Sequence, residues 1–71
     1  MTATKEQLAA GLQIVRAVAD TIREVGTAPR GVIYTALMSK GLSLANYEQI
    51  EGMLVRAGLV RVDSEQLVWI A

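Results

Sequence analysis

From Ser43 to Ile70 the chain reads SLANYEQIEGMLVRAGLVRVDSEQLVWI, and this stretch restricts the fold more than any other. Ser43 is a good helix N-cap, because its hydroxyl can accept from a backbone N–H of the first turn. Tyr47, Ile50, Leu54 and Ala57 then recur at three- and four-residue steps, with Met53 at the edge, which predicts one buried side of a helix over about 44–57. Gly58 supplies a stop. Leu59 to Val62 and Leu67 to Ile70 are short β-rich runs on either side of Asp63-Ser64-Glu65-Gln66, so a two-stranded hairpin with a four-residue polar tip is expected over about 59–70. Strands this short are stable only when laid on other elements.

The preceding residues supply those elements. Thr4 and Gln7 form a capping-box pattern opening a helix over about 5–25. Leu8, Leu12, Val15, Ala19 and Ile22 fall within about 80° of arc at 100° per residue, the expected core stripe. Charged residues lie opposite. A second apolar set, Gly11, Ile14, Val18 and Val25, is turned roughly 90° from the first. Either other parts of the same domain cover it, or it is a helix-to-helix homodimer seam in which Gly11 permits close approach. Gly26 ends the helix, Thr27 and Ala28 form a tight connector, and Pro29 suits the first position of a helix over about 29–40. Ile33, Ala36 and Leu37 give that helix its core side, Tyr34 and Met38 flank it, and Gly41-Leu42 has the pattern of a Schellman stop.

Seventy-one residues make a single domain over 1–71 near the lower size limit for independent folding. Without cysteine or histidine the chain cannot be stapled by disulfides and lacks the usual zinc ligands, and no cofactor or metal is expected. Yet 52% of the residues are hydrophobic. That surplus over what so small a monomer can bury favours a homodimer. Seven basic residues balance seven acidic ones, so no global field steers the chain to nucleic acid. The longest uncharged runs, Gln7 to Val15 and Gly31 to Ser39, are nine residues each, too short for a membrane span. The N-terminus has no basic lead-in to an apolar run, so a cytoplasmic location is expected. Catalysis is not expected: the carboxylates show no pairing beyond ordinary helix spacing, and the glycines about Pro29-Arg30 make no nucleotide fingerprint or other small-molecule site.

Three helices followed by a hairpin, with Tyr47, Ile50 and Leu54 leading into Arg56-Ala57-Gly58-Leu59-Val60, resemble the winged helix-turn-helix superfamily. That passage is similar to the run from recognition helix into wing in many bacterial regulators, and the likeness covers roughly Pro29 to Ile70. It implies an α-rich α+β fold in which a backbone bridge from Thr27 or Ala28 completes a small sheet with the hairpin. It also implies that 44–57 corresponds to the recognition helix and Asp63 to Gln66 to the wing tip, with an outward face of Ala45, Glu48, Gln49, Gly52 and Arg56.

Two roles follow for that face. In a DNA-binding regulator Gln49 would read an adenine edge and Arg56 would meet phosphate or guanine. However, Glu48 and Glu51 set two negative charges against one Arg, and the tip carries Asp63 and Glu65 without a cation, whereas phosphate contacts normally supply much of the affinity. The favoured expectation is therefore a non-catalytic protein-interaction module, with Ala45 and Gly52 small enough to admit a partner, and DNA binding is the alternative. Tyr34, Tyr47 and Trp69 are scattered over three elements and read as packing residues rather than a base-stacking platform.

Overall fold

Helix α1 (Lys5–Val25), strand β1 (Thr27–Pro29), helices α2 (Arg30–Met38) and α3 (Leu44–Arg56), and strands β2 (Val60–Asp63) and β3 (Gln66–Trp69) follow in that order in a computed structural model. It describes residues 5–71, with side chains from Gly11 onward. The Thr4–Gln7 capping pair and the Leu8 side chain lie outside the described residues. The described residues form a small, helix-rich α+β domain of three helices and one three-stranded antiparallel sheet, ordered β1-β3-β2.

The third strand corrects the expected two-stranded hairpin. Thr27-Ala28 is not merely a connector touching the hairpin at one bridge. Thr27, Ala28 and Pro29 pair with Val68, Leu67 and Gln66. The segment bears one side-chain signal, buried Ala28 between exposed Thr27 and Pro29, too short to read as alternation. Proline lacks an N–H but is tolerated on an edge strand. The Gly26 carbonyl accepts from Trp69 N–H at 2.8 Å and the Glu65 carbonyl from Arg30 N–H at 2.9 Å, so one end of β1 is fastened to β3 and the other to the hairpin turn.

The hairpin is tighter than expected. Asp63 pairs with Gln66, which leaves a two-residue turn, Ser64-Glu65, in place of a four-residue tip. Both turn residues have positive φ, 51° and 64°, the geometry of a type I′ turn normally given to Asn-Gly.

Helix ends follow the local chemistry. The Ser43 hydroxyl accepts from Asn46 N–H at 3.2 Å while Asn46 Oδ1 accepts from Ser43 N–H at 3.0 Å, a reciprocal capping box. At the other ends, Leu42 N–H reaches the Leu37 carbonyl at 3.2 Å and Leu59 N–H the Leu54 carbonyl at 3.1 Å. These are Schellman closures, and Gly41 and Gly58 carry the required positive φ of 90° and 74°. Pro29 proves to be the N-cap of α2 rather than its first helical residue.

Ile22, Ile33, Leu37, Tyr47, Ile50, Leu54, Val60 and Leu67 form the core together with Val18 and Ala28. Two expectations for α1 change. Val18, placed by sequence on the second stripe, is buried at 6% exposure, and Leu12, placed in the core, is 65% exposed. The helix presents Val15, Val18 and Ile22 inward, a face rotated by about 45° from the predicted one. Ala57, expected on the buried side of α3, is exposed, and Met38 on α2 is exposed too. Tyr34 is half-buried, with its ring centroid 5.7 Å from that of Tyr47. No helix among the described residues is long and apolar enough to cross a membrane.

Candidate interaction face on α3 and the hairpin

Helix α3 turns Tyr47, Ile50, Glu51 and Leu54 toward the core, and this orientation decides what remains outside. Ala45, Glu48, Gln49 and Arg56 are exposed, and Gly52 is half-exposed between them, so the five residues of the predicted outward face do share one side of the helix. Gly52 has a local use. A Cβ at that position would lie 3.1 Å from Arg56 Nη1, so the missing side chain lets the Arg56 guanidinium fold back along the helix. Leu44, Met53 and Val55, exposed at 51%, 41% and 42%, flank this face. Sequence reasoning passed over Leu44 and Val55, although their offset from the Tyr47–Leu54 stripe was a readable signal.

Glu51 does not belong to the surface at all. Its side chain is 9% exposed and meets Arg30 side-on, with Nε to Oε1 at 2.9 Å and Nη2 to Oε2 at 3.0 Å. Arg30 is the first residue of α2, and its Nη1 also reaches Glu65 Oε2 at 3.3 Å. One guanidinium therefore joins the start of α2, the middle of α3 and the hairpin turn. The hydrogen bond to Glu51 holds the Arg30 pKa above its already high ordinary value. No local spacing pairs residues 30 and 51, so the sequence carried no sign of this pair.

Beside it, the Tyr47 hydroxyl is buried without a hydrogen bond of its own. Burial pushes the Tyr47 pKa up; the nearby Arg30 cation opposes this and the Glu51 charge adds to it. A phenol whose folded-state pKa is raised contributes stability fully below the unfolded value of 10.0 and loses it as pH rises through the folded value. Wild type is therefore expected to lose stability progressively above about pH 10, and Tyr47→Phe should remove that part of the loss. Because the hydroxyl makes no well-aligned hydrogen bond to the Arg30–Glu51 pair beside it, Tyr47→Phe should change neutral-pH stability by about 1 kcal/mol at most. Chemical denaturation of both chains between neutral and alkaline pH measures the difference.

The electrostatics of the combined face are mixed. With Glu51 buried, Arg30, Arg56 and Arg61 stand against Glu48, Asp63 and Glu65, and Arg61 lies 4.0 Å from Asp63. No run of unpaired cations tracks along it. Of the predicted α1 set, Gly11 and Val25 are exposed, Ile14 is half-buried against the core and Val18 is inside it, so these four do not form one free face. Compared with known proteins, the chain matches no family model, and neither a characterised relative nor a solved structure shows significant similarity to it.

Proposed function

We propose that the chain is a small, non-catalytic, winged-helix-like interaction module of the cytoplasm, homodimeric, which meets a protein partner through the outward face of α3. The observation that carries this reading is the character of that face. Ala45 keeps the start of the face low, the Arg56 guanidinium lies over Gly52, half-exposed aliphatic residues Leu44, Met53 and Val55 border it, and Arg56 is its only cation. Apolar surface around one or two charges suits a desolvated protein contact, whereas a phosphate backbone calls for clustered cations. A neutral chain without histidine or cysteine supports the non-catalytic part.

One observation favours a second reading, a DNA-binding regulator. With Glu51 turned inward, Glu48 is the only carboxylate left on the outward face, beside Gln49 and Arg56. That face is less repellent to DNA than the sequence implied.

Ala45→Arg separates the two, because it adds both charge and volume to the face. Crosslinking in the native host identifies the partner, and titration of a labelled random duplex tests DNA. The expected result is partner capture by wild type, its loss in Ala45→Arg, and no duplex binding by either. Binding of a defined duplex by wild type that falls steeply with salt, weakens in Arg56→Ala and strengthens in Ala45→Arg would establish the regulator instead.

A further inference from the structure

The tip of the hairpin is backbone under strain, held in place by one side chain. Ser64 and Glu65 carry φ of 51° and 64°. Left-handed backbone crowds the Cβ of an L residue, which is why Asn-Gly is preferred at these two positions. Such a conformation persists only where its surroundings fix it. Here the surroundings are thin, because Asp63, Ser64, Glu65 and Gln66 are all exposed. Among the described residues, the hydrogen bonds from Ser64 and Glu65 to a helix all end on Arg30. Its N–H donates to the Glu65 carbonyl at 2.9 Å and its Nη1 to Glu65 Oε2 at 3.3 Å.

The strained segment lies between two fixed points. On one side Arg30 is anchored to α3, with Nε and Nη2 at 2.9 and 3.0 Å from the buried Glu51 carboxylate, and it offers only Nη1 to the turn. On the other side the Val62–Leu67 pair fixes the rest of the hairpin, since Leu67 has no exposed surface. Ile70 N–H donates to the Leu59 carbonyl, so the alternation of an antiparallel ladder makes Arg61–Val68 and Asp63–Gln66 the next hydrogen-bonded pairs. Parting Asp63 from Gln66 lengthens the tip to four residues and leaves the register of every other pair unchanged.

We propose that the tip is a latch, exchanging between this two-residue turn locked on Arg30 and an open four-residue loop over 63–66. Closing gains the Asp63–Gln66 pair and the Arg30 contacts, and opening relaxes two left-handed residues. The Glu65 carboxylate is 85% exposed and adds little. A few solvated hydrogen bonds therefore stand against backbone strain of similar size. That balance puts the open form at about 1–10% of the population. Opening leaves Arg30 on Glu51 and frees Nη1, so the latch sets whether the flank of α3 shows a free guanidinium edge. This holds whichever partner the α3 face meets.

Amide hydrogen exchange on the full chain tests the latch. Gln66 N–H is bonded to Asp63 only in the closed form and should be protected about 10–100-fold. Its protection should not change in sub-denaturing urea, because opening the tip exposes little new surface. Val68 N–H, inside the ladder, should be protected at least about tenfold more and lose protection as urea is added. NMR relaxation dispersion should find exchange at residues 63–66 and at Arg30 N–H, and none at Arg61 or Val68. Ser64→Asn/Glu65→Gly supplies the residues the turn prefers, so it should suppress that exchange and raise Gln66 protection about tenfold or more. Gln66 unprotected, or protected as Val68 is and falling with urea alongside it, would overturn the latch. Dispersion that persists unchanged in the double variant would overturn it too.

Discussion

Leu67→Ala is expected to remove most of the folded population at room temperature. Leu67 has no exposed surface, lies on the central strand, and is the residue that Ala28 and Val62 face from the two outer strands. Truncating a fully buried leucine costs about 3–5 kcal/mol, the upper part applying where the surroundings cannot collapse into the space. Collapse is hindered here, since β3 is held by strands on both sides. A core of this size yields roughly 3–5 kcal/mol in total. The loss therefore matches the whole margin. Urea unfolding followed by the fluorescence of Trp69 should find the variant largely unfolded without denaturant, and a loss under about 1.5 kcal/mol would show that the sheet relaxes more readily than its pairing suggests.

Arg30→Ala is the second large effect. It leaves the Glu51 carboxylate in place, with 9% of its side chain exposed and no cation beside it. Breaking a buried pair on one side costs about 3–5 kcal/mol. Arg30 itself is 31% exposed, so water can partly replace it, and a loss of about 2–3 kcal/mol is expected. The Glu65 contact adds little, because that carboxylate is 85% exposed. Arg30→Met with Glu51→Leu should recover most of the loss, since two apolar residues leave no charge unpaired. If Arg30→Ala is near neutral while the double variant is destabilised, the guanidinium contributes packing and not charge compensation.

These two residues also mark where the sequence was readable. Periodicity, caps and glycines placed the three helices within about two residues of their observed ends, because those signals are local. The α3 face was legible for the same reason: Tyr47, Ile50 and Leu54 define the inward side, and Ala45, Gln49 and Arg56 must then point out. What escaped was nonlocal. The resemblance implied one bridge from Thr27 or Ala28 to the hairpin, but its extension into a three-residue strand that meets β3 some forty positions later is announced by nothing within three residues. Arg30 and Glu51 lie 21 positions apart. The turn of α1 is not legible because an apolar stripe reads as evenly used, whereas among the described side chains the domain covers the helix only from Ile14 onward, and the crossing direction selects Val18 over Leu12.

The Ser64-Glu65 turn has a consequence for the order in which the molecule assembles. Two non-glycine residues in left-handed backbone conformation disfavour this turn in an isolated peptide, where Asn-Gly would form it readily. In the folded chain the Glu65 carbonyl and carboxylate are both held by Arg30. The turn is thus held mainly by a backbone hydrogen bond that closes a loop of 35 residues, so the hairpin is not expected to serve as an early nucleus. Helices α2 and α3, joined by a short connection, are expected to meet before the hairpin docks on Arg30. Strand β1 joins in the same event, since one of its ends is tied to β3 and the other to the hairpin turn. The sheet is therefore expected to complete after the α2–α3 junction has formed.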